Sequence, residues 1–280
     1  MAYVLLNDTI VARESASVDI EDRGYQFGDG IYEVVSVYGG RVFKLDEHLA
    51  RLARSASELG IALPFKVREI KNKLLALFAA DPVGDGMIYL QVTRGAAPRI
   101  HSFPEPPVSA QLVAYTRAGA RPVQLQQSGV ACTLTDDIRW LRCDIKSLNL
   151  LGNVLAKQKA AESGAYETIM HRGDTVTEGS SSNVYIVRND RVITHPANNL
   201  ILNGITRMTV EELCGKRGIP FVEQPFTVRE LLEAEEAFIT ATTIDVVPVV
   251  EVDGQAIGAG IPGRVTRDIQ AEFDRLIQAL

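Results

Sequence analysis

Short apolar segments with a two-residue alternation recur along this chain, each closed by turn residues, and single stretches with helical spacing stand between them. Hairpins mixed with isolated helices predict an α+β or mixed architecture and argue against a doubly wound one. YVLL and TIVA around Asn7-Asp8 read as a hairpin. A polar loop follows, and then a strand from Ile31 to Tyr38 turned by Gly39-Gly40. Leu49, Leu52, Ala53, Ala56 and Leu59 predict a helix from Asp46 that Gly60 ends, and a second runs through Ile70, Leu74, Leu77 and Phe78. MIYLQVTRG and QLVAYTR predict strands flanking the proline-rich loop PRIHSFPEPP.

In the second half, VACTL reads as a strand and residues 147–163 as a helix, before a hairpin-rich stretch to Thr194. A helix over 204–217, the strand IPFVE, a short helix after Phe226, the strand AFITA and the hairpin VVPVVEVDGQAIG come next. The last helix places Val265, Ile269, Phe273, Leu276, Ile277 and Leu280 on one face. No long-period repeat is visible. At 280 residues the chain has room for two modest domains. The expected division is a smaller α+β domain over 1–117, a Gly-, Pro- and Gln-rich linker over 118–129 and a larger α+β domain over 130–280 that carries Lys146.

The longest apolar run, Leu74 to Ala80, is far short of a membrane span, and Asp8 comes too early for a secretory core, so a soluble cytoplasmic protein is expected. A net charge of −6 disfavours nucleic acid as the main partner and makes small molecules the default. The three cysteines, Cys132, Cys143 and Cys214, are widely spaced and read as free core thiols. His48, His171 and His195 show no metal-site spacing.

Seven of the eight lysines lie among polar neighbours; Lys146, in CDIKSLNLLG, does not. Desolvation disfavours an ammonium and can bring a lysine towards ~7–8, which suits an amine that attacks carbonyls. The bland alternative is a lysine snorkelling at a helix start. Glu178, in TVTEGSSSN, sits in a tight polar loop able to hold one carboxylate rigidly beside a protonated heterocyclic nitrogen. A solvated turn glutamate is the simpler reading of the residues alone. Gly204-Ile205-Thr206 opens a helix whose N–H groups suit an anion, and Thr240, Thr242 and Thr243 offer hydroxyls to it, against ordinary turn chemistry. Arg51 suits a countercharge or a surface pair with Glu47. Arg99 and His101, two apart in the proline-bounded loop, suit a carboxylate, against two solvated basic residues.

The segments EDRGYQFGDGIYEVV, QVTRGAAPRIHSFPE, DIRWLRCDIKSLNLL, TVTEGSSSN, THPANN and NGITR stand in one order across essentially the whole chain. In that order they closely resemble the fold-type IV pyridoxal-phosphate aminotransferases, in particular the D-specific members. The resemblance implies a two-domain α+β fold and transamination between a D-amino acid, such as D-alanine, and a 2-oxo acid, such as 2-oxoglutarate. It implies that Lys146 carries pyridoxal 5′-phosphate and moves the substrate Cα proton, and that Glu178 pairs with the pyridine nitrogen. Arg51, the Ile205 and Thr206 amides and Thr242 would hold the phosphate, and Tyr32, Arg99 and His101 would trap the substrate α-carboxylate. A homodimer is implied, with Arg99 and His101 reaching the partner's site. Ala241 departs from the pattern, which has a serine there. The rival readings are a lyase of the same fold resembling aminodeoxychorismate lyase, a branched-chain L-amino-acid aminotransferase, and a non-enzymatic binding module in which Lys146 is structural.

Overall fold

The structure, a computed structural model, describes residues 2–280, and they divide into two units. The first comprises the chain up to Arg121 together with Ile145–Asn149. Strands β1 (Tyr3–Leu6) and β2 (Thr9–Ala12) form the expected hairpin, with Asn7 at a positive φ of 54°. The polar loop after it contains a helix too short for periodicity to announce, α1 (Arg23–Phe27), whose N-cap Asp22 accepts from the Gly24 N–H. Then come β3 (Gly30–Tyr38), β4 (Arg41–Val42), α2 (Leu45–Glu58), α3 (Val67–Ala80), β5 (Gly86–Thr93) and β6 (Gln111–Ala118). The strands form one antiparallel sheet in the order β2-β1-β6-β5-β3-β4. Helical spacing puts Leu49, Leu52 and Ala56 of α2 and Ile70, Leu74 and Leu77 of α3 in one core with Ile31, Val35, Ile88, Leu90 and Leu112. Each such leucine or isoleucine contributes about 2 kcal/mol by leaving water.

The second unit comprises Pro122–Asp144 and Leu150–Leu280. Its elements begin with α4 (Val123–Ser128), β7 (Val130–Asp136), α5 (Leu151–Glu162), β8 (Glu167–Arg172), β9 (Thr175–Gly179), β10 (Asn183–Arg188) and β11 (Arg191–Thr194). They continue with α6 (Ile205–Arg217), β12 (Phe221–Glu223), α7 (Val228–Leu232), β13 (Glu236–Ala241), β14 (Asp245–Val252), β15 (Gln255–Ala256) and α8 (Arg264–Gln278). The sheet runs β12-β11-β10-β13-β14-β7-β8-β9, with β15 added to β14. It is mixed, since β11/β12, β14/β7 and β7/β8 are parallel. The near-continuous burial of β10, β13 and β14 fits strands covered on both faces.

Two expectations need correction. Residues 123–128, inside the expected linker, form α4, and Gln126 Nε2 ties it down by donating to the Ile244 carbonyl at 3.0 Å. The helix expected over 147–163 begins at Leu151, so Lys146 is not at a helix start. Residues 145–149 run alongside β3 instead. The Tyr32 N–H donates to the Lys146 carbonyl at 3.1 Å, and the Leu148 N–H to the Gly30 carbonyl at 2.9 Å. Ile145 enters the first unit's core. The segment carrying Lys146 therefore packs with the first unit, although its sequence neighbours on both sides belong to the second. Leu151, whose apolar character suggests burial, is 73% exposed. No helix among the described residues is long and apolar enough to cross a membrane.

Candidate active site

The sequence-predicted site residues fall into two groups, one in each unit. In the first unit, Lys146 is half-buried, and its Nζ lies 4.2 Å from the centre of the Tyr32 ring. Tyr32 stacks on Tyr89 at 6.0 Å, and Tyr89 on Tyr115 at 5.0 Å, so a ladder of rings across three strands backs this position. Burial pushes the Tyr89 hydroxyl well above its ordinary value, which keeps it neutral.

Strand alternation sends Glu33, next to Tyr32, into the core side of β3, where α2 presents His48 and Arg51 three residues apart. Glu33 is completely buried; its two oxygens accept from Arg51 Nε at 2.7 Å and Nη2 at 2.8 Å, and one lies 2.7 Å from His48 Nδ1. Burial alone would raise the Glu33 carboxyl. The Arg51 charge and the bonds from Arg51 and His48 outweigh it and hold the group down to about 2. Since Glu33 is ionised, Nδ1 of His48 must carry the proton it donates. Burial, only partly opposed by Glu33, lowers His48, so its ring is neutral. Arg51 is thus a buried, oriented guanidinium, and the surface pair with Glu47 is not made; Glu47 faces Lys44 at 3.8 Å. Glu33 and His48 were missed by sequence reasoning. The available signal was a charged residue in the middle of the apolar strand IYEVVSVY.

Arg99 and His101 lie exposed in the loop between β5 and β6, on either side in sequence of Ile100, and both side chains contact Phe27 of α1.

In the second unit, Glu178 of β9 is buried rather than solvated. Its Oε1 accepts from Arg139 Nη1 at 2.5 Å, and its Oε2 from Asn183 Nδ2 at 3.1 Å and the Leu202 N–H at 3.0 Å. Burial raises its carboxyl above the ordinary value, against the pull of Arg139. Three donors and no acceptor address it. Arg139, which sequence reasoning also missed, is in turn fixed by Asp137, to which Nη2 donates at 2.8 Å. The turn after Glu178 is held from below by a second buried carboxylate, Glu167 of β8. Ser180, Ser181 and Ser182 each donate a hydroxyl to it, at 2.5, 3.2 and 3.1 Å.

Ile205 and Thr206 are buried at the start of α6, which has no side-chain cap and no acidic residue in its first turn. Gly204, the N-cap, is required by a close approach. A Cβ there would collide with Oδ1 of Asn183, the residue whose amide also donates to Glu178. An uncapped N-terminus free of carboxylates suits a dianion. Thr242 is half-buried just past β13. Thr240 is a core partner instead, its hydroxyl 3.1 Å from that of Tyr185, and Thr243 is exposed. Ala241 is the last residue of β13.

The model of the class IV amino-transferases matches residues 30–252, a span that includes Lys146, Glu178 and the start of α6. The chain belongs to the class IV aminotransferase family. It is similar along nearly its full length to the D-alanine aminotransferase of Bacillus licheniformis, 51% identical over 274 residues, 98% of this chain and 96% of that one. With the D-alanine aminotransferase of Staphylococcus epidermidis it is 48% identical over 279 residues, 100% and 99% of the two chains. Among solved structures, the branched-chain aminotransferase of Escherichia coli superposes with a TM-score of 0.93 at 23% identity, covering 98% of this chain and 94% of that one. The branched-chain aminotransferase of Thermoproteus uzoniensis, solved with norvaline, gives 0.90 at 28% identity, covering 98% and 94%. This class IV member therefore shares its fold with branched-chain enzymes and about half its residues with D-alanine enzymes.

Proposed function

We propose that this aminotransferase moves the amino group of a D-amino acid, D-alanine among them, to a 2-oxo acid such as 2-oxoglutarate, giving pyruvate and D-glutamate, with pyridoxal 5′-phosphate as cofactor. The observation that carries the reading is the near-full-length identity of about half to two D-alanine aminotransferases. The residues present fit the cofactor. The uncapped, carboxylate-free start of α6 and the oriented guanidinium of Arg51 suit a phosphate dianion, with the Ile205 and Thr206 amides and Thr242 as its donors. Glu178, a buried carboxyl that Arg139, Asn183 and the Leu202 N–H address as donors, suits a protonated pyridine nitrogen. When bound, pyridoxal phosphate supplies a carbonyl carbon for amines and a ring that accepts the electron pair left at Cα.

Lys146 would hold the cofactor through its Nζ. As a free amine the same nitrogen would move the proton between substrate Cα and C4′. Glu178 holds the ring-nitrogen proton in place while Cα is deprotonated. Tyr32, Arg99 and His101 bind the α-carboxylate, and the Arg99–His101 pair of donors favours D-substrates over the branched-chain reading that the fold neighbours suggest. We place the enzyme in the cytoplasm, in keeping with three free buried cysteines.

D-Alanine added alone to the purified holoenzyme should convert the visible cofactor band to that of the pyridoxamine form, and 2-oxoglutarate should reverse it. Conversion by L-leucine but not D-alanine would establish the branched-chain reading. Pyruvate released catalytically without a 2-oxo acid would establish the lyase.

The working unit is read as a homodimer. Leu151, Val154 and Leu155 stand at i, i+3 and i+4 on α5 and are 73%, 57% and 53% exposed, while Ala156 and Ala160 of that helix are buried. Ile138 and Leu141, before Lys146, are 68% and 62% exposed. An apolar helix face left in water supports a second copy as its cover.

A further inference from the structure

The ring of Phe27, the last residue of α1, touches two arginines and a histidine. The Cζ atoms of Arg23 and Arg99 lie 4.9 and 4.8 Å from its centre, and the His101 ring centre lies 5.6 Å away. The two arginines differ in what else they do. Arg23 is buried; its Nε donates to Asp29 Oδ2 at 2.8 Å and its Nη1 to the Ile100 carbonyl at 2.6 Å, with Nη2 reaching the His101 carbonyl at 3.4 Å. Asp29 also receives Arg94 Nε at 2.8 Å, and the Cζ of Arg94 lies 3.6 Å from the centre of the Phe103 ring. Arg23 and Arg94 thus tie the loop to the body of the unit at Ile100, His101 and Phe103. Arg99 and His101 are exposed, and among the described residues no ion pair holds either side chain.

An exposed arginine samples many rotamers and must be ordered before it can grip a carboxylate. A ring face attracts the cation through its quadrupole and uses none of the N–H donors. It therefore orders the guanidinium and leaves its fork open for a ligand. We propose that Phe27 is a positioning residue for substrate carboxylate: its ring presents Arg99 and His101 in a binding pose on a loop whose backbone Arg23 fixes. This rests on the reading of Arg99 and His101 as the carboxylate pair. It adds a residue with no polar atom in its side chain to substrate recognition.

The test compares Phe27→Leu, which keeps apolar bulk without the ring, with Phe27→Tyr, which keeps the ring, and with Arg99→Lys, all as holoenzymes. KM for D-alanine and the inhibition constant of propionate, a carboxylate without an amine, are read with kcat. Phe27→Leu should raise KM and the propionate constant together by roughly threefold to tenfold, the scale of one cation–π contact, with kcat within about twofold. Phe27→Tyr should restore both. The double variant Phe27→Leu/Arg99→Lys should fall short of the product of the single effects. If Arg99→Lys raises both constants and Phe27→Leu raises neither, the carboxylate reading stands and the role given to Phe27 is wrong. If neither variant moves them, the carboxylate reading itself fails, and the proposal with it. If Phe27→Leu bleaches the cofactor band, or if Phe27→Tyr fails to rescue, the ring is packing only and the proposal is overturned.

Discussion

Three side chains carry separate predictions. On the roles proposed for it, Lys146→Ala removes both the cofactor attachment and the Cα base, so the visible band of the lysine-bound cofactor should vanish and turnover should fall on the order of a thousandfold or more. Near-normal turnover would end that assignment. Glu178→Gln keeps shape but removes the charge that Arg139 and two further donors surround. Cofactor should still bind to Lys146 while single-turnover transamination slows; an unchanged single-turnover rate would show that Glu178 is not the nitrogen's partner. Glu33 titrates at about 2 in the folded chain, below the ordinary carboxylate value that it regains on unfolding. A depressed folded value stabilises above the unfolded pKa, and that stability is lost as pH falls from about 4.5 towards 2. The shift corresponds to roughly 3 kcal/mol. Denaturant midpoints measured over that range should fall steeply for the wild type. Glu33→Gln should be less stable at neutral pH, because Arg51 loses its buried partner, and should show a flatter slope. Parallel pH curves for the two proteins would remove Glu33 as the titrating group.

At the scale of elements, the β9–β10 turn carries Glu178 at one end and Asn183 at the other, and Glu167 of β8 is its clamp. Glu167→Ala strips the shared acceptor from three serine hydroxyls. It should cost about 2–3 kcal/mol of stability and slow the same deprotonation step as Glu178→Gln, read by calorimetry and single turnover. A stable variant of normal single-turnover rate would mean that the turn holds Glu178 without Glu167. The serines were legible in sequence as a tight polar loop, but their acceptor lies on the preceding strand, eleven residues before Glu178. Local pattern also predicted the amphipathic helices α2, α3, α6 and α8, because their buried residues recur at helical spacing. It missed α1 and α4, of five and six residues, although it marked the equally short α7 after Phe226.

At the scale of the whole molecule, the dimer reading makes the sites divisible. If Arg99 and His101 serve the partner's site, Lys146→Ala and Arg99→Ala homodimers should each be nearly inactive. After random one-to-one reassociation half the dimers are mixed, and each has one complete site, so activity should recover to roughly a quarter of wild type. Subunit exchange, followed with a size-tagged chain, without recovery of activity would place Arg99 in its own subunit's site.

Local pattern was enough to establish the mixed helix and strand content, and the order of motifs was enough to establish the family, because both reside in residues near one another along the chain. The neighbours of the site residues are a different matter. Glu33 meets Arg51 across eighteen residues, Arg139 meets Glu178 across thirty-nine, and Arg23 reaches Ile100 across seventy-seven. A buried charge is tolerated only where a partner reaches it. Which partner that is depends on strand register and on which helix covers which face of a sheet. Sequence therefore nominated Lys146, Glu178 and Arg51, and only tertiary packing decided that Lys146 lies against Tyr32, that Glu178 is buried beside Arg139, and that Arg51 is oriented by Glu33.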